Sequence, residues 1–83
     1  MEWERGRVVK SIAGRDKGTF LLVLSVVEGR VLVTDGRDRP LERPKQKNAK
    51  HLGQTNTVLP DRSMATNREI RRALALVEVG AGT

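Results

Sequence analysis

The eight residues Phe20-Leu21-Leu22-Val23-Leu24-Ser25-Val26-Val27 are apolar at both odd and even positions. A strand on a sheet with one wet face alternates apolar with polar. This run therefore predicts a strand buried on both sides, or one wrapped inside a closed sheet. It is short for a core helix, and its β-branched end adds to the strand reading. The chain must cover both faces of that strand with only 83 residues.

The flanking sequence predicts small antiparallel pieces. Arg5 to Ala13 reads as a strand, with Val8 and Ile12 on one parity and Val9 breaking the alternation. Ala13-Gly14-Arg15-Asp16-Lys17-Gly18 reads as a turn, in which Gly14 and Gly18 supply permissive backbone and Asp16 fixes the turn. Glu28-Gly29 marks a hairpin into Arg30–Thr34. Asp35-Gly36 suits a second tight turn, returning through a short edge strand at Arg37–Leu41 with Arg37 and Arg39 on one face. Glu42 to Asn48 reads as a Pro- and Lys-rich loop, and Ala49 to Val58 as one or two short strands with a bend at Gly53. Five strands in so few residues leave no room for crossover helices and predict a small barrel over residues 1–58.

Residues 59–65 read as a linker. Residues 66–79 read as a helix: Thr66 and Glu69 form a capping box, and Ile70, Ala73, Leu74 and Val77 share one face. That face is expected to pack on the barrel, leaving Arg68, Arg71 and Arg72 on a solvated side, with Gly80-Ala81-Gly82 ending the helix. Trp3 is placed either as a plug at the base of the barrel or as a contact for a partner, and Phe20 in the core.

Charge is uneven. The chain carries 16 Lys and Arg against 10 Asp and Glu, a net +6. Residues 37–51 hold six of the cations (Arg37, Arg39, Arg43, Lys45, Lys47, Lys50) and only two acids. Clustered cations attract phosphates and release their counterions. With no cysteine and a single histidine, His51, the chain has no thiol chemistry, no zinc knuckle and no metal-ligand set. It contains no phosphate loop of the Walker type and no dinucleotide fingerprint. We expect no cofactor and no enzymatic activity. Trp3 and Phe20 are its only aromatics, so base stacking on aromatic platforms is not available, and phosphate contacts helped by arginine stacking must carry binding. The opening residues Met1 to Arg5 hold no apolar stretch of the kind a secretory leader needs, and no run approaches a membrane span. A cytoplasmic protein that is monomeric when free is expected.

Gly6-Arg7-Val8-Val9-Lys10-Ser11-Ile12-Ala13-Gly14-Arg15-Asp16-Lys17-Gly18 resembles a KOW motif, with Gly18 at the place of its characteristic glycine. Together with Asp35-Gly36, Arg39, the Pro44-to-Leu52 stretch and Asn67 to Leu74, it resembles the large-subunit ribosomal protein family "fourteen-e" and its small bacterial relatives. The similarity runs over residues 4–75. The resemblance implies an SH3-like β-barrel (KOW domain) with a C-terminal α-helix that binds RNA, ribosomal RNA foremost. The expected RNA-binding residues are Arg15, Lys17, Arg37, Arg39, Lys45, Lys47, Lys50 and His51, with Gly14 and Gly18 setting loop geometry and with the head groups of Arg15, Lys17, Arg39, Lys45, Lys47 and Lys50 exposed. KOW domains also bind proteins, so docking on the transcription or translation machinery is the alternative, and duplex DNA a further one.

Overall fold

The computed structural model describes residues 3–81. The chain is mainly β. Strands β1 (Arg7–Ser11), β2 (Phe20–Val27), β3 (Arg30–Thr34), β4 (Lys45–Asn48) and β5 (Leu52–Val58) precede one C-terminal helix, α1 (Asn67–Ala81). All strand pairs are antiparallel, in the order β4-β3-β2-β1-β5.

The apolar run does become the central strand, and its two parities feed two cores. Leu21 and Val23 join Val9, Val31, Val33 and Leu52 on one face, with Trp3 packed against them. Leu22 joins Val8, Met64, Ile70 and Leu74 on the other, under α1. Val9 breaks the alternation of β1 because β1 is also buried on both sides. Double-sided burial stops partway along β2. The register with β3 shifts between Val23 and Ser25, and beyond that point Val26 and Val27 are 46% and 49% exposed.

The sheet curls toward the Val9 face. Ser11 on β1 and Lys47 on β4 are three strand spacings apart, about 14 Å if the sheet were flat. Yet Lys47 Nζ donates to Ser11 Oγ at 3.0 Å. The sheet's two edge strands, β4 and β5, are joined only by the 3₁₀ turn Ala49–His51. Such a link spans too little chain to cross a flat five-stranded sheet of about 19 Å.

Two sequence expectations are overturned here. Arg37–Leu41 is not a strand, and the predicted loop at Glu42–Asn48 contains β4, which pairs with β3 from Arg30↔Asn48 to Val33↔Lys45. The cause lies in Asp35. Its Oδ1 accepts from the Arg37 and Arg39 backbone N–H groups, both at 2.8 Å, and the Asp35 N–H donates to the Arg39 carbonyl. The carboxylate thus closes a local loop where a two-residue hairpin was expected, and the chain pairs with β3 only after Pro44.

Within the stretch expected as a linker, Asp61–Met64 forms a 3₁₀ turn that sinks Met64 to 3% exposure beneath α1. Thr66 caps the helix as expected, its Oγ1 accepting from the Glu69 N–H at 3.1 Å. The helix continues past residue 79 to Ala81, and Gly82 lies outside the described residues. Ile70 and Leu74 are 0% and 5% exposed. Leu74→Ala should therefore lower the unfolding free energy by about 2–5 kcal/mol, measured by urea denaturation. An unchanged midpoint would mean that α1 does not cover the sheet.

Candidate nucleic-acid interface

The loop between β1 and β2 is built by local hydrogen bonds. The Lys17 N–H donates to Gly14 O, the Gly18 N–H to Ser11 O and the Thr19 N–H to Asp16 O. Gly14 and Gly18 sit at φ +88° and +94°, a region L side chains resist. The loop's one acid points inward. Asp16 Oδ1 accepts from Ser11 Oγ at 2.8 Å and from Lys47 Nζ at 2.6 Å. Ser11 Oγ also lies 3.0 Å from the Ala13 carbonyl, so its single proton is shared between two acceptors. Burial disfavours the Asp16 carboxylate, but the bonds from Lys47 and Ser11 and the Lys47 charge outweigh it and hold the group below its ordinary value of 3.8.

Lys47 is thereby corrected. Its head group was expected in solvent, yet its side chain is 7% exposed and its ammonium is consumed by Ser11 and Asp16. Alternation along β4 explains this. Lys47 pairs with the buried Val31, so both project to the inner face, while Gln46 and Asn48 face out. The triad of Ser11, Asp16 and Lys47 ties the first loop to β4.

Beside that tie lies a cleft of about 520 Å³. Arg15 reaches it from the first loop, Arg30 from β3, Arg39 from the Asp35–Pro44 loop, Lys45 and Lys47 from β4, and His51 from the 3₁₀ turn. Asp16 is its one acidic lining residue, and it is already paired. Five of the eight predicted residues thus converge. Lys17, Arg37 and Lys50 do not line the cleft, though all three are exposed. Arg37 borders a separate groove against α1 with Asp38, Arg71 and Glu78.

The helix positions one wall of the cleft by bracing the Asp35–Pro44 loop. Asn67 Oδ1 accepts from the Leu41 N–H at 2.8 Å, and Asn67 Nδ2 donates to Glu42 Oε1 at 2.9 Å. Arg71 Nη1 donates to the Gly36 carbonyl at 2.8 Å. Arg71 is exposed, as the sequence reading expected, and is also a strut for the loop that carries Arg39. Sequence reasoning also missed Arg30. It follows a Glu-Gly turn with no basic neighbour, and only the pairing of Arg30 with Asn48 brings it to the cleft.

Among the described residues, no helix is long and apolar enough to cross a membrane. The chain matches no protein-family model and no curated protein.

Proposed function

We propose that this chain is a non-enzymatic RNA-binding module, ribosomal or ribosome-associated, that grips structured RNA through phosphate contacts. The observation that carries the reading is the convergence of Arg15, Arg30, Arg39 and Lys45 from four separate elements on one concave surface whose only acid is neutralised internally. Such a surface concentrates positive potential and favours a polyanion. The resemblance of the Gly6–Gly18 stretch to a KOW motif supports RNA as that polyanion and an SH3-like barrel as the scaffold. The curl of the sheet, the three-residue link between β4 and β5 and the Ser11–Lys47 bond across the interior fit such a barrel. On this reading the protein is cytoplasmic and monomeric when free, and it works without a cofactor.

The test is a titration of ribosomal RNA fragments across a salt series. Four cations free to contact phosphate predict a slope of log K against log salt of about −3, from roughly 0.7–0.9 per phosphate. A slope shallower than about −1.5 would remove the electrostatic basis of the proposal. In cell extracts the protein should sediment with ribosomal particles and leave them in high salt. Sedimentation that survives ribonuclease would instead point to docking on protein.

A further inference from the structure

Resting on the RNA reading, we infer that the cleft takes an unpaired, looped-out nucleotide of the RNA rather than the side of a duplex. The shape is the first reason. The phosphates of a duplex lie on a broad convex surface that is too wide to enter a cleft of this size, so a duplex meets only its rim. A cleft of about 520 Å³ falls within the range that encloses small ligands, roughly 300–1,000 Å³. It is therefore large enough for one splayed nucleotide with its phosphate.

The placement of charge is the second reason. Arg15, Arg30, Arg39 and Lys45 line the cleft from four separate elements. A strand that reverses direction at a bulge brings successive phosphates toward one point, which matches cations arranged around a concavity. A third reason is chemical. Three of those four cations are arginines, whose planar guanidinium groups stack on an unstacked base as well as pairing with phosphate. The one aromatic ring among the lining residues is the His51 imidazole, so the arginines, with His51, are the groups that would carry stacking there.

Around this site the wall is polar. Gln46 and Asn48 line it from β4, an edge strand. The Asn48 Oδ1 is engaged by the Lys50 N–H at 3.0 Å, which fixes the side chain and holds it in place beside the cleft. Amides of this kind hydrogen-bond the Watson–Crick edge of an extruded base, an edge that pairing occupies in a duplex.

The experiment compares two RNA hairpins of equal length and charge, one fully paired and one with a two-nucleotide bulge, titrated against the whole chain at a fixed salt concentration. The bulged hairpin should bind about tenfold more tightly. Arg30→Gln removes one phosphate contact and should weaken both hairpins, but it should weaken the bulged one far more and remove most of the preference, because Arg30 lines the cleft itself. Its exposed side chain makes the variant safe for folding, which a thermal melt checks. Equal affinity for the two hairpins, or a preference untouched by Arg30→Gln, overturns the looped-nucleotide inference and leaves RNA binding standing. Binding to neither hairpin overturns the RNA reading itself.

Discussion

Replacing Asp16 with Ala should destabilise the chain by about 3 kcal/mol, while replacing Lys47 with Met should cost about 1 kcal/mol. The asymmetry comes from which charge is left behind. Without Asp16, the Lys47 ammonium stays in a side chain only 7% exposed, with Ser11 Oγ as its remaining partner. A stranded buried charge is strongly destabilising, whereas a buried pair replaced by apolar groups is often nearly neutral. Without Lys47, Asp16 keeps the bond from Ser11 and, at 24% exposure, can also reach water. That exposure is why the expected cost of removing Asp16 sits at the low end for a buried pair. The double variant, Asp16→Ala with Lys47→Met, should recover most of the loss. Urea denaturation of the four proteins forms the cycle, and equal losses for the two single variants would show that the pair is solvated.

The same pair predicts a pH dependence with a definite sign. Asp16 is held below its ordinary value of 3.8, against the opposing effect of burial, by the bonds from Lys47 and Ser11 and by the Lys47 charge. A group whose folded value is depressed stabilises the fold above its unfolded value and loses that contribution as pH falls through the folded one. The stability gap between the parent chain and Asp16→Asn should therefore be full at about pH 6 and shrink toward about pH 2. A gap that stays constant across that range would break the assignment.

Gly36→Val should be at least as damaging, at about 3–5 kcal/mol, and it acts through the helix. Gly36 is buried and sits at φ +74°. A Cβ there would stand 2.5 Å from the Asn67 carbonyl and 3.2 Å from Ile70 Cβ. Neither obstacle is the end of a flexible chain, so the first turn of α1 must move, and with it the bonds from Asn67 and Arg71 that brace the Arg39 loop. Gly18 provides the control. It has a similar backbone angle, +94°, but nothing within 4 Å of an added Cβ. Gly18→Ala should cost only the strain of its backbone, about 1–2 kcal/mol. For a chain whose whole stability is about 4–12 kcal/mol, the first change removes about a quarter of it or more and should lower the melting temperature well beyond the second. Similar melting temperatures for the two would show that α1 does not press on the Asp35–Pro44 loop.

What the sequence determined alone are the features set by local periodicity and local chemistry. Two-parity apolarity in Phe20–Val27 made a central strand with cover on both faces. Spacing of Ile70, Leu74 and Val77 made an amphipathic helix, and Thr66 capped it. Glycines at 14 and 18 shaped the first loop, and the excess of cations after residue 36 was legible as a concentration of positive charge. These follow from side-chain period and backbone preference, which act within a few residues.

Tertiary structure decided the rest, because strand pairing and burial depend on partners distant in sequence. Lys45-Gln46-Lys47-Asn48 has weak strand propensity and became a strand because the edge of β3 was there to pair with it. That register then sent Lys47 inward, where Asp16, thirty-one residues earlier, supplied the charge that pairs with it. The same pairing drew Arg30 into the cleft, and the docking of α1 made the exposed Arg71 a strut for the loop that holds Arg39. Composition showed how many cations the chain has, but only the fold determined which of them line the cleft and which hold the protein together.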